Sequence, residues 1–132
     1  MSNIVNKMQN IPNLSAIKGC SEEQLKDAQN ELDIIFPEEY VEYVKAFGCI
    51  DFGATEWTGL NITGRLNTVY ATNKEKGVNK AFPKKYFVLE DLAIDAKKII
   101  VNEAGQVYLL QYDKMTYLCD SISSYLDMCL LR

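Results

Sequence analysis

Between Ser21 and Gly48 the apolar residues return every three or four positions, and beyond Gly48 they return every two. Leu25, Ala28 and Leu32 share one face of a helix whose other positions are Glu22, Glu23, Lys26, Asp27 and Glu31. Ser21 and Gln24 stand three apart, the spacing at which each side chain satisfies a free backbone N–H of the other's residue. Glu22 and Glu23 add favourable negative charge to that helix start. Pro37 fixes its own φ and turns Phe36 away from the helical region, so the first helix ends by about Asp33 and Pro37 falls in the first turn of a second. Tyr40, Val41, Val44 and Phe47 form the apolar stripe of that second helix, and Gly48 is placed to close it in a left-handed conformation.

Ahead of this pair, residues 1–18 predict one short helix before Pro12 and a connector through Leu14 and Ile17. After it, CIDFG and TEWTGL put Ile50 and Phe52 on one face and Trp57 and Leu60 in short strands bounded by glycines. A short helix is expected over Thr68 to Lys76, ending at Gly77. Strand patterns follow at YFVLE (86–90), KKIIVN (97–102), VYLLQY (107–112) and MTYLCD (115–120). The short connections at Asn102 to Gly105 and at Asp113-Lys114 make a three-stranded meander of the last three. Asp120 or Ser121 then caps a closing helix with Ile122, Tyr125, Leu126 and Cys129 on one face. The pattern predicts one α+β domain over residues 1–132: a mainly antiparallel sheet flanked by an N-terminal helical pair and a C-terminal helix.

Composition narrows the function classes. A chain of 132 residues with 48% hydrophobic and 24% charged positions suits one domain with a full core. A formal charge of −4 argues against a general nucleic-acid binder, which needs a basic face. The start MSNIVNKMQN lacks the apolar core of a signal peptide and no run of 18 apolar residues occurs, so the expectation is a cytoplasmic protein without membrane contact. Cys20, Cys49, Cys119 and Cys129 match no Cys-x-x-Cys spacing and are expected as free, partly buried thiols. The chain has no histidine, which removes Ser-His-Asp and Cys-His catalysis, HExxH zinc sites and the usual general base near neutral pH. Neither GxGxxG nor GxxxxGK[ST] can be written from its seven glycines. The expectation is therefore a non-enzymatic protein with no cofactor and no metal. The Asp51 and Glu56 pair leaves carboxylate chemistry as the minor alternative.

The charge is unevenly distributed. Residues 22–56 hold ten acids and two bases, a balance of −8, whereas residues 64–98 hold eight bases and four acids, a balance of +4. Charged outer faces of helices explain single acids. An acidic stretch of this density also suits a surface that steers and selects a basic protein partner. Candidate partner-binding residues are Glu38, Glu42, Asp51, Glu56 and Trp57, with Glu31 and Glu39 at the edge. Trp57 has two readings, an interface anchor or a residue packed into its own sheet, and the second is favoured. Lys80, Lys84 and Lys85 around Pro83 read as a solvated loop.

The run Leu32-Asp33-Ile34-Ile35-Phe36-Pro37-Glu38-Glu39-Tyr40, continued to Phe47-Gly48, resembles the signature of the SUKH superfamily, the bacterial relatives of the yeast Smi/Knr cell-wall regulator. Asp120-Ser121-Ile122-Ser123-Ser124-Tyr125-Leu126 resembles that family's closing segment. Phe36 stands where leucine is common, Cys49 where a second glycine is frequent and Ile122 where an aromatic is usual, and all three keep apolar character. The resemblance implies the α+β fold above. It also implies an immunity protein of a polymorphic toxin system, which binds a cognate toxin, often a nuclease, and covers its active surface without chemistry. A regulatory protein-binding adaptor of the Smi/Knr type is the alternative, with a small carboxylate- or lysine-based enzyme or ligand-binding domain behind it. Exposed strand edges leave a homodimer open.

Overall fold

A computed structural model describes residues 3–132. In chain order the elements are α1 (Ile4–Gln9), β1 (Ser15–Ala16), α2 (Glu22–Leu32), α3 (Glu38–Phe47), β2 (Ile50–Phe52), β3 (Thr55–Glu56), a single 3-10 turn (Gly64–Leu66), α4 (Thr68–Val78), β4 (Tyr86–Asp91), β5 (Lys97–Asn102), β6 (Val107–Gln111), β7 (Lys114–Cys119) and α5 (Ile122–Leu130). The fold is α+β, as expected. The helix expected before Pro12 is α1; residues 1 and 2 of that segment lie outside the described residues.

Local chemistry sets the helix ends. The Ser21 Oγ accepts the Gln24 N–H at 3.1 Å and Gln24 Oε1 accepts the Ser21 N–H at 2.9 Å, so the reciprocal cap predicted for α2 is present. Asp33 ends α2 at φ 53°, which lets the Ile34 N–H reach back to the Gln29 carbonyl at 3.1 Å. The Gln29 side chain then accepts the Phe36 N–H at 2.8 Å, and the chain enters α3 already extended. Pro37 is the residue before the first turn of α3 rather than within it, at φ −63° and ψ 153°. The stripe also differs: Tyr40, Tyr43 and Val44 are buried, and Val41 and Phe47 are half-buried. Tyr43 enters the core because its hydroxyl is satisfied there, donating to the Thr58 carbonyl at 2.8 Å and accepting the Ile50 N–H at 3.2 Å. The helix expected to stop at Gly77 runs through it to Val78. At the other end of α4, Asn67 caps it by accepting the Tyr70 N–H at 3.0 Å.

The strands form two antiparallel sheets rather than one: β1-β2-β3, and β4-β5-β6-β7. The meander extends to a fourth strand because β4 also pairs with β5. β1 has no strand pattern in the sequence and exists through its pairing with Asp51 and Ile50. Ile50 and Phe52 face inward with Asp51 outward, as the alternation predicts. Thr58, just past β3, donates its N–H to the Leu89 carbonyl at 2.7 Å and its hydroxyl to the Val88 carbonyl at 2.8 Å, which ties the small sheet's exit to the edge of β4.

One face of the large sheet, with Phe87, Leu89, Ile99, Val101 and Val107, closes the main core against α1, α2, α3 and α5. The other face buries Val88, Ile100 and Leu110 beneath Ala71 of α4 and Phe82. Beside the main core, Glu90 is only 2% exposed and meets Arg132 at 2.8 Å, with the Tyr125 hydroxyl donating to the same carboxylate.

Candidate partner-binding surface

Glu38 and Glu42 lie one turn apart on α3, on the side away from Tyr40 and Val44. Asp51 stands directly across from Glu56 in the β2–β3 pair, both exposed on one face of the small sheet. Like charges in that position repel, and Arg65 offsets this with a two-pronged bond to Glu56 at 3.0 and 3.2 Å. Glu39 turns toward α5 and accepts the Ser123 N–H at 3.1 Å, so its carboxylate serves the start of that helix.

Trp57 is a correction to the candidate set. It is completely buried, edge-on to Tyr43 at 5.6 Å and stacked on Tyr125 at 5.9 Å, so its ring presents nothing to a partner. Its indole N–H has no hydrogen-bond partner among the described residues.

The fold also pairs part of the acidic segment with bases. Glu22 meets Lys45 of its own segment, Asp33 meets Lys85 at 3.3 Å, and Glu56 meets Arg65 from the basic segment. The carboxylates of Glu23, Asp27, Glu31, Glu38 and Asp51 take part in no ion pair or hydrogen bond with the described residues, and all five residues are exposed. Two of them, Asp27 and Glu31, line one wall of an open groove of about 1080 Å³ between α2 and α4. Leu60 and Val69 add apolar lining, and Tyr70 and Lys74 of α4 stand on the facing side. Glu31 is expected at the edge of the acidic surface from the sequence, whereas the groove that it shares with Asp27 is not visible there, because its walls come from segments far apart in the chain.

A smaller hollow of about 290 Å³ lies beside Arg65 and includes Tyr70, Lys74, Glu75, Asp91 and Lys98. The Lys98 ammonium sits 3.7 Å from Glu75 and 3.6 Å from Asp91, so its charges are largely balanced internally. Among the described residues, no group of three or more Cys, Asp or Glu side chains is placed to hold a metal ion. Burial, reinforced by Asp51, pushes the Cys49 thiol up to about 11, and burial also raises Cys20, Cys119 and Cys129. Thiols held protonated at neutral pH are poor nucleophiles. Among the described residues no helix is long and apolar enough to cross a membrane.

The site offers charge and shape: exposed carboxylates beside a groove with apolar lining. No curated protein matches the chain. A family model does: SUKH_5, described as SMI1-KNR4 cell-wall, matches residues 1–131, nearly the whole length. The helix pair hinged at Pro37, the strands that follow and the capped last helix agree with that match, and the chain belongs to this SUKH family of the SMI1-KNR4 cell-wall type.

Proposed function

We propose that this protein is a non-enzymatic immunity protein of the cytoplasm that binds a cognate toxin, such as a nuclease, and neutralises it by covering its active surface. The observation that carries the reading is the set of exposed carboxylates left without a cation partner among the described residues: Glu23, Asp27, Glu31, Glu38 and Asp51. A nucleic-acid-cleaving toxin needs a basic cleft for phosphate, and an acidic surface with an adjoining groove complements such a cleft in charge and shape. The groove wall at Asp27 and Glu31 is the proposed centre, with Glu38, Glu42, Asp51 and Glu56 as flanking charges.

Co-expression with the toxin domain of a neighbouring gene should rescue growth, and the two chains should co-purify. Asp27→Lys combined with Glu31→Lys should weaken binding by about tenfold or more and flatten its salt dependence, with the thermal midpoint little changed. Glu38→Lys, on a different helix, locates the edge of the interface by a smaller loss. Unchanged affinity in the double variant removes the groove from the interface, and failure of the wild-type pair to associate at low salt removes the inhibitor reading for that pair.

The family's cell-wall description favours a second reading, a regulatory adaptor that binds an endogenous protein. Deletion of the gene separates the two: loss of toxin resistance supports immunity, and an altered cell wall without any toxin supports the adaptor.

A further inference from the structure

The two edges of the large sheet are treated differently. On β4, Thr58 occupies the Leu89 and Val88 carbonyls and the Thr72 hydroxyl accepts the Val88 N–H at 3.0 Å, so that edge is closed by side chains and loop. β7 pairs only with β6. A two-residue turn at Tyr112 and Asp113 closes the β6–β7 hairpin on the pair Gln111↔Lys114. Antiparallel alternation then puts the next hydrogen-bonded pair at Leu109↔Thr116 and leaves the N–H and C=O groups of Met115 and Tyr117 pointing away from β6. Nothing among the described residues occupies those four groups. The strand carries no proline, and Lys114 is its one charged residue. Its side chains are unusually apolar for an open edge: Met115 is 37% and Tyr117 50% exposed, and Tyr117 continues an edge-to-face row with Tyr108 and Tyr86.

We propose that β7 pairs antiparallel with β7 of a second copy of this chain, centred on Thr116, joining two four-stranded sheets into one. Centring on Thr116 sets Met115 opposite Tyr117 of the other copy, so the outward-facing groups of both strands meet and a sulfur–aromatic contact forms on each side of the two-fold axis. Lys114 falls opposite Leu118, so no like charges face each other. The strand begins at Asp113-Lys114, an end of balanced charge, and antiparallel pairing on Thr116 keeps the two copies' Lys114 side chains apart, whereas in-register parallel pairing would set lysine against lysine. Self-complementarity of this kind selects a second copy over an unrelated strand. The shift in register between Val107 and Tyr108 turns Cys119 back toward β6 and limits the pairing to the first part of β7. A single strand pair is a small interface, so the dimer is weak.

Sedimentation equilibrium from about 1 µM to about 1 mM covers the affinities expected of an interface this small. The wild-type mass should rise from 15.0 kDa toward twice that value with concentration. Thr116→Lys and Thr116→Glu each set like charges across the two-fold axis and should each remain monomeric. An equal mixture of the two should associate again, because the axis now joins opposite charges. A wild-type chain that stays at 15.0 kDa throughout overturns the proposal. Single variants that dimerise like the wild type also overturn it, since the dimer then uses another surface. Neither result bears on toxin binding through the groove.

Discussion

Gly59 shows how one atom can decide a residue. A Cβ there would stand 1.9 Å from the Gly48 carbonyl oxygen, the same oxygen that accepts the Leu60 N–H at 2.9 Å. Neither backbone can retreat without breaking that bond, so Gly59→Ala should destabilise the fold by about 2–4 kcal/mol, measured as a lower denaturant midpoint at unchanged slope. Gly48 itself has φ 70° and ψ −66°, outside the left-handed helical region predicted for it, because the chain must turn sharply into β2 while packed against Ile17 and Lys18. The same scale explains Tyr43 and Trp57. Periodicity marked Val41 for the stripe and passed over Tyr43, whose burial depends on the Thr58 carbonyl and the Ile50 amide, both beyond the reach of a local pattern. Trp57 carries no local sign of which side of the sheet it occupies; its stacking on Tyr125 of the last helix puts it inside.

At the scale of elements, α2 and α5 were legible because each start and face is written in a few adjacent residues. Ser21 and Gln24 cap α2, and Ser121 accepts the Ser124 N–H at 3.0 Å to start α5. The end of α4 was misread because Gly77 has helical backbone, and in an otherwise continuous helix a glycine only lowers stability. Nothing lies within 4 Å of a Cβ built at Gly77. Gly77→Ala should therefore stabilise the protein by about 0.5–1 kcal/mol, seen as a raised thermal midpoint; a lowered midpoint would mean that the glycine serves something other than the helix. The four strands of the large sheet were legible through their alternation and short turns. β1 was not, since two exposed residues, Ser15 and Ala16, become a strand only when β2 lies beside them.

At the scale of the molecule, burial links several ionisations to stability. Tyr40, Tyr43 and Tyr125 are buried, and loss of solvation raises each of their hydroxyl ionisations, as it raises Cys49 to about 11. The folded state holds these protons more tightly than the unfolded chain does, so their contribution is complete below the unfolded values and is lost as pH rises through the folded ones. Stability should be flat near neutral pH and fall from about pH 9 through about 11, where Cys49 crosses its window, and further as the tyrosines follow. Denaturation midpoints across that range, with tyrosinate absorbance followed in parallel, test this; a midpoint level to pH 11 would show that these side chains are not held as described. The charge pattern is also a whole-molecule property. The uneven balance between residues 22–56 and 64–98 is visible in the sequence, but Asp33–Lys85 and Glu56–Arg65 join those two segments and leave a smaller acidic surface than counting suggests. Exposed pairs of this kind add little stability, so their main effect is on which carboxylates remain for a partner.

The sequence by itself determined where the helices lie, the caps that start α2 and α5, the strands of the large sheet and the family, because each depends on residues within a few positions of one another. Tertiary structure alone decided that Trp57 is core, that Asp27 and Glu31 line a groove with α4, which acids keep a free charge, and that β7 is the sheet edge left open. Those four outcomes depend on which distant segments arrive beside a residue, and a local pattern of polar and apolar positions carries no record of that.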